Sequence, residues 1–286
     1  MTTEKNTDLN ITTGAGRAAN VEFVSAYPNR RLRSEDAYAA FTGDVLANLL
    51  AHAGWDVTRE YYVNDAGPQA DALARGVFAC LTETTSFEES ETAAIAEALR
   101  PTLDAALLQA DENTWLPAIR EAAISTALTN IKADLTALNV RFDVFTTDAE
   151  VAAEARLPKL LAGFATQGAL LDANKAPLAQ APAKPTGRFF LNTQALGDTR
   201  NRPLTGATGR YTYFAFDLAY HQHKLERGYA LLVDVFRKDY GSYGPGLAAA
   251  ESMLSNGTAT LEACLLEPVI APRLTELLAF YGAPNL

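Results

Sequence analysis

Two hydrophobic periods alternate along the first eighty residues, and this alternation constrains the fold more than any other feature. Residues 20–26 and 55–63 place apolar side chains at alternate positions, which predicts two strands. Between them, residues 35–53 repeat apolar side chains every three or four positions, which predicts a helix with one buried face. A second helix is predicted from Pro68, after a turn at 64–67. The order strand, helix, strand, helix predicts an α/β fold with a Rossmann-like, doubly wound parallel sheet.

The rest of the chain continues this pattern with interruptions. Further helices are predicted at 117–138 and 218–227, and further strands at 140–145, 188–192, 211–216 and 230–236. We divide the chain into a flexible N-terminal lead (1–19), a core (20–250) and a C-terminal helical tail (251–286). Within the core, 81–113 is predicted to be an acidic helical insertion, and 172–187, which holds three prolines, is predicted to be a loop.

Negative charge is concentrated in the predicted insertion. The chain has a net charge of −10, and residues 81–113 contribute −7 of it through eight acidic residues and Arg100. This acidity disfavours non-specific binding to nucleic acid. Two interpretations of the insertion stay open: a solvated helical face, or a surface that binds a protein partner.

The positions of the cysteine, histidine and apolar residues argue against a disulfide-linked protein, a metal site and a membrane-spanning helix. The two cysteines, Cys80 and Cys264, are far apart in sequence and suit a reduced, cytoplasmic protein. His221 and His223 are two positions apart with no nearby cysteine, so we predict no metal site. The sequence has no run of 18 apolar residues and no secretory signal, so no membrane association is expected.

Five segments share residues with one family of enzymes. They are VEFVSA (21–26), GDVLANLLAHAGWDVTREYYVNDAG (43–67), IREAAISTALTNIKADLTALNVRFDVF (119–145), GDTRNRPL (197–204) and YTYFAFDLAYHQHKLERGY (211–229). In order and spacing, these segments resemble the catalytic core of arginyl-tRNA synthetases. The resemblance implies a domain that binds ATP and arginine, forms arginyl-adenylate and transfers arginine to tRNA. It therefore implies ATP as cofactor, with arginine or another guanidinium ligand, and tRNA, as partners.

The resemblance also implies a site for the arginine side chain. The family's guanidinium-binding acid and its Tyr-x-x-x-Asp pair match Glu22, Tyr213 and Asp217. Ser25 matches a further arginine-binding position. Two carboxylates and a phenol suit the planar guanidinium group with its five N–H donors. The alternative interpretation makes Glu22 an ordinary acid, and makes the later pair a strand-end aromatic and a helix N-cap.

The family's phosphate-binding motif is altered in this sequence. Where the family has a stretch close to NPTGPLHxGH, this chain has YPNRRLRSED (27–36). The HIGH part of the motif becomes Arg33, Ser34, Glu35 and Asp36, so both histidines that would donate hydrogen bonds to ATP are replaced. Losing one such donor typically costs about 10²–10³ in rate. The arginines of this stretch either bind phosphate or belong to a solvated loop.

Two further positions change residues that the resemblance places against the ligand. Tyr27 stands where the family has an asparagine that helps to hold the ligand backbone. Residues 237–243 align with a later GADHxGY stretch, in which Tyr240 replaces the histidine and Tyr243 keeps the final tyrosine. No lysine follows Lys238, so a KMSKS-type loop is not expected in this sequence.

Three functions remain open on this basis. The first is a synthetase-like core that binds arginine, with or without ATP, but is impaired in aminoacylation. The second is a pseudoenzyme that binds arginine and acts as a regulator or partner subunit. The third is an amino-acid ligase that acts on an acceptor other than tRNA. Resemblance assigns a family but does not assign an activity.

Overall fold

The computed structural model describes residues 14–82, 90–237 and 243–266. Its helices are α1 (Ser34–His52), α2 (Gly67–Thr82), α3 (Glu91–Leu99), α4 (Glu112–Ala137), α5 (Asp148–Val151), α6 (Ala153–Thr166), α7 (Tyr213–Glu226) and α8 (Gly244–Leu254). Its strands are β1 (Ala18–Glu22), β2 (Asp56–Val63), β3 (Val144–Thr147), β4 (Leu170–Leu171), β5 (Phe190–Leu191), β6 (Arg202–Pro203), β7 (Leu231–Arg237) and β8 (Thr260–Leu266).

These elements belong to two compact units. Among the described residues, the first unit contains 14–23, 42–60, 152–237 and 243–266. The second unit contains 24–41, 61–82 and 90–151. Both β2 and α1 therefore have residues in each unit.

The sheet of the first unit confirms the predicted α/β class. Strand β1 pairs in parallel with β2 on one side and with β7 on the other, and β7 pairs in parallel with β8. The end of β2 continues into the second unit, where β3 is the next strand. The chain thus adds β2 on one side of β1 and later adds β7 on the other. This reversal is a topological switch point, where ligands of doubly wound sheets bind beyond the carboxyl ends of the strands.

A second, smaller sheet in the first unit consists of β4, β5 and β6, which pair antiparallel. The predicted proline-rich loop, 172–187, leads into it, and no helix or strand lies between Leu171 and Phe190. In the second unit, α3 falls within the predicted acidic insertion. One face of α3 is buried through Ile95 and Leu99, while residues 83–89 of the insertion lie outside the described residues.

Several predicted boundaries are wrong for identifiable reasons. Strand β1 ends at Glu22 instead of residue 26, because Val24 and Ser25 have positive φ angles of 67° and 40°, which no strand continues. The strand predicted at 140–145 begins only at Val144. At the N-terminus, β1 already begins at Ala18, inside the predicted flexible lead, whose residues 1–13 lie outside the described residues.

The segment 211–216 was predicted as a strand because aromatic residues alternate along it, and this prediction is wrong. The Thr212 hydroxyl accepts a hydrogen bond from the Ala215 backbone N–H at 3.3 Å and caps α7, so Tyr213 is the first helical residue. The predicted helical tail is also corrected, because Thr260–Leu266 is strand β8 at the edge of the sheet. Residues 267–286 of that tail lie outside the described residues.

Candidate functional site

Three carboxylates form a row across neighbouring strands of the first unit. In the register of the parallel sheet, Glu22 on β1 lies opposite Glu60 on β2 and opposite Asp234 on β7. Residues in register on parallel strands present their side chains to the same face of the sheet. The backbone therefore sets three acids side by side at the switch point, with Glu22 at the last position of β1.

Helix α7 brings cations to this row. The Lys224 Nζ lies 2.6 Å from a Glu22 carboxylate oxygen and 2.9 Å from Asp234 Oδ1. Arg227 donates to both oxygens of Glu60, at 2.8 and 2.7 Å. Burial lowers the pKa of Lys224, but the charges of the surrounding carboxylates outweigh burial and raise it above its usual value. Lys224 is therefore a buried cation shared by two strands.

His221, one turn before Lys224, is a third cation of this group. Its Nε2 lies 3.1 Å from Asp234 Oδ2, and its Nδ1 lies 3.3 Å from Glu251 Oε2 on α8. Burial lowers the pKa of His221, but the charge and hydrogen bond of Asp234 and the hydrogen bond to Glu251 raise it to about 10. His221 is thus an imidazolium at neutral pH. We name the following residues the buried ionic cluster: Glu22, Glu60, His221, Lys224, Arg227, Asp234 and Glu251.

Asp217 lies one turn further towards the N-terminus of α7. The Tyr243 hydroxyl donates a hydrogen bond of 2.6 Å to its Oδ2. Burial raises the pKa of Asp217 to about 6, and the negative charges of Glu22 and Asp234 add to the rise, while Tyr243 and His221 oppose it. Asp217 lies on the same face of α7 as Lys224, which contacts Glu22, so the helix brings both predicted guanidinium-binding acids to the same end of β1.

The structure describes three of the other predicted ligand-contact residues, Tyr213, Ser25 and Tyr27. Tyr213 is the first residue of α7 and is 82% exposed. Ser25 belongs to the second unit, where its hydroxyl accepts a hydrogen bond of 3.0 Å from the Tyr62 backbone N–H. Tyr27 also belongs to the second unit. Its hydroxyl is buried and has no hydrogen-bond partner among the described residues, and burial beside two aspartates raises its pKa to about 12. Tyr240 lies outside the described residues.

The residues that replace the HIGH motif stabilise the start of α1. Asp36 accepts a hydrogen bond of 2.8 Å from the Arg33 backbone N–H, which is one half of a capping box, the half in which an N3 side chain reaches back to the N-cap. The same carboxylate forms an ion pair with Arg30 at 2.5 Å. Ser34 is the first residue of α1, and Glu35 next to it is exposed. Asp36 therefore binds the N-terminus of α1 and the side chain of Arg30. The aligned residue in the family is a histidine that the resemblance places against phosphate.

The neighbouring Arg31 is also held by a carboxylate of its own unit. Its Nε lies 3.0 and 2.9 Å from the two oxygens of Asp134, which is buried. The Leu32 backbone N–H donates to Asp134 Oδ2 at 3.1 Å. These contacts give Arg30 and Arg31 structural roles and favour the loop interpretation of this stretch over phosphate binding.

The sequence analysis missed most of the buried ionic cluster. Five of its members were not singled out, and His221 was considered only as a metal ligand. The five are Glu60, Lys224, Arg227, Asp234 and Glu251. The available signal was the three-residue spacing of His221, Lys224 and Arg227 in the predicted helix 218–227, because residues so spaced lie close together along a helix face. In the part of the chain that the structure describes, no group of three or more His, Cys, Asp or Glu side chains is arranged to hold a metal ion.

The amino-acid sequence of this chain is similar to the sequences of named enzymes. The chain is 35% identical over 270 residues to the arginine–tRNA ligase of Cereibacter sphaeroides, and 38% identical over 278 residues to that of Rhizobium rhizogenes. Each match covers 90% of this chain. The chain is a homologue of the arginine–tRNA ligases. It spans about half the length of these relatives, 47% in both cases.

Solved structures agree with this relationship at the level of the fold. A structure from Campylobacter jejuni assigned as an arginyl-tRNA synthetase superposes with a TM-score of 0.74 and 23% identity, covering 96% of this chain and 63% of that one. No family model matches the chain. Within residues 14–82, 90–237 and 243–266, no helix combines the length and the apolar character that crossing a membrane requires.

Proposed function

We propose that this chain binds arginine through the guanidinium group, with Glu22 and Asp217 as the carboxylates that receive it. The observation that carries the proposal is the placement of Asp217 on the same face of α7 as Lys224, whose Nζ lies 2.6 Å from the Glu22 carboxylate at the end of β1. The raised pKa of Asp217 shows that its surroundings penalise the anion. A ligand cation placed between these two carboxylates would relieve that penalty, because opposite charges within about 4–6 Å favour the ionised form.

The charge of the first unit supports a cationic ligand. Within the described residues, the buried ionic cluster and Asp217 together hold five carboxylates and three cations. Burial is the largest cause of the raised pKa of Glu22, and the charge of Lys224 opposes it. A guanidinium ligand suits a group of carboxylates of this kind, since its planar fork can bond two carboxylates at once.

The residues of the altered motif do not fit a triphosphate. Two carboxylates, Glu35 and Asp36, stand at the start of α1, and Asp36 is engaged by Arg30 and by the Arg33 backbone. Anions at a helix N-terminus compete with phosphate for the same positive end of the helix dipole. We therefore propose that this chain does not activate arginine with ATP by the route of its relatives. Of the three functions left open by the sequence, an arginine-binding regulator or partner subunit agrees best with this geometry.

Arginine binding is tested most directly by Asp217→Asn. We expect the dissociation constant for arginine, measured by calorimetry at pH 7.5, to rise about tenfold or more, because a charge-assisted hydrogen bond contributes about 1.5–3 kcal/mol. Lysine should bind more weakly than arginine because it lacks the planar fork. The matched control is Asp56→Asn, at an exposed aspartate of β2. Equal arginine affinity in both variants and the unmodified protein would remove Asp217 from the site.

The lack of ATP activation is tested by arginine-dependent exchange between ATP and pyrophosphate. We expect no exchange above background in a preparation that contains no host synthetase. Combined replacement of Glu35 by glycine and Asp36 by histidine should strengthen ATP binding, because it removes two negative charges and restores one donor. Robust exchange by the unmodified protein would contradict the proposal and favour a ligase that acts on another acceptor.

A further inference from the structure

Tyr243 lies outside helix α7, and its hydroxyl binds the carboxylate of Asp217 on that helix. It immediately precedes α8, and its hydroxyl donates to Asp217 Oδ2 at 2.6 Å. Its ring meets the ring of Phe214 edge to face, with centroids 5.5 Å apart and an interplanar angle of 88°. Phe214 is itself buried on α7. Phe214 lies one turn before Asp217 on α7. Its contact with the Tyr243 ring therefore holds the Tyr243 hydroxyl towards the Asp217 carboxylate.

We infer that Tyr243 is a positioning residue of the proposed arginine site, which orients the Asp217 carboxylate and keeps it available as an anion. This inference rests on the proposed function and adds to it the residue that controls the affinity of the site. The phenol has a single O–H donor and engages Oδ2. The geometry assigns Oδ1 of the same carboxylate to the N–H groups of the ligand.

Besides burial, which is the largest cause, four groups act on the charge of Asp217, from β1, β7, α7 itself and the residue before α8. Glu22 of β1 and Asp234 of β7 disfavour the anion, while His221 of α7 and Tyr243 before α8 favour it. Of these four groups, only His221 would still favour the anion once the Tyr243 hydroxyl is removed. The pKa of Asp217 should then rise above its present value of about 6, towards neutral pH. A protonated carboxyl group is a poor partner for a guanidinium group, so ligand affinity should fall.

The test is the variant Tyr243→Phe, which keeps the ring and removes only the hydroxyl. We expect the dissociation constant for arginine at pH 7 to rise about tenfold, since the hydrogen bond involves a charged acceptor. The loss should shrink as the pH is raised to 8.5–9, because Asp217 then ionises again. A general loss of structure would not recover in this way. The matched control is Tyr229→Phe, whose ring packs against Arg227 and not against Asp217.

Two further measurements separate this inference from the proposed function. The pKa of Asp217, followed by carboxyl carbon NMR in the absence of arginine, should be higher in Tyr243→Phe than in the unmodified protein. In the Asp217→Asn background, removal of the Tyr243 hydroxyl should change arginine affinity little. An unchanged Asp217 pKa, or an affinity loss that is equal at pH 7 and pH 9, would overturn the role of Tyr243. An unmodified protein that binds no arginine would overturn the proposed function instead, while the NMR titration still decides whether Tyr243 controls Asp217.

Discussion

Replacement of Lys224 by methionine is expected to destabilise the protein by about 3–5 kcal/mol at pH 7. Lys224 is fully buried and bridges Glu22 and Asp234 on two adjacent strands. Methionine fills a similar volume but leaves two carboxylates without their shared cation. Removing one partner of a buried ion pair costs this much because an uncompensated charge stays buried. Urea unfolding followed by circular dichroism measures the effect.

The pH dependence of this loss distinguishes charge from packing. In the variant, the carboxylates can take up protons more easily, so the loss of stability should be smaller at pH 5 than at pH 7. A loss caused only by packing would be equal at both values. Lys159→Met, at an exposed position of α6, is the matched control and should change stability little. A Lys224 variant as stable as this control would show that the buried ionic cluster does not depend on Lys224.

The order of the elements could be predicted from the sequence because local periodicity determines it. The helix predicted at 35–53 is α1, Ser34–His52, and the strand predicted at 55–63 is β2, Asp56–Val63. The strand predicted at 230–236 is β7, Leu231–Arg237. The buried face predicted for α1 is wrong in part, because Val45 and Leu49 are 54% and 60% exposed and the buried positions of this helix are alanines and Gly43.

The errors lie where backbone conformation or a side-chain cap overrides periodicity. Val24 and Ser25 end β1 through positive φ angles, although the alternation along residues 20–26 indicates that the strand continues. At 211–216, aromatic alternation indicates a strand, but the Thr212 cap begins α7 within the segment. Neither competing effect has a periodic signature. One threonine in a sequence does not by itself indicate an N-cap, so Thr212 can be recognised as a cap only after the start of α7 is known.

The candidate site could be predicted only in part, because its chemistry depends on distant pairs. Glu22 and Asp217 follow from the resemblance, but the partner of Glu22 is Lys224, 202 positions later in the chain. The pairing of Glu22 with Asp234 depends on strand register, which single-sequence periodicity does not specify between β1 and β7. The contact between Lys224 and the row of acids therefore depends on the fold, and no sequence motif predicts it.

A second large effect is expected from His221 at alkaline pH. In the folded protein its pKa is raised to about 10, against about 6.5 for an unperturbed histidine. Between these values the folded state binds more protons than the unfolded state, so the free energy of unfolding falls as the pH rises. The slope for one such group approaches about 1.4 kcal/mol per pH unit. The stabilisation is complete below about pH 6.5 and is lost as the pH passes through about 10.

His221→Gln removes this proton while keeping an amide that can hydrogen-bond to Asp234. We expect the variant to be less stable at pH 7, because Asp234 and Glu251 lose a shared cation, and to lose little further stability between pH 7 and pH 9.5. Lys224 also faces Asp234, but its pKa is raised, so it stays charged over this range in both proteins. His52→Gln, at an exposed histidine at the end of α1, should keep the slope of the unmodified protein. Unfolding measured at half-unit steps of pH gives the slopes, and equal slopes in the two variants would show that His221 is not the group that couples protonation to folding.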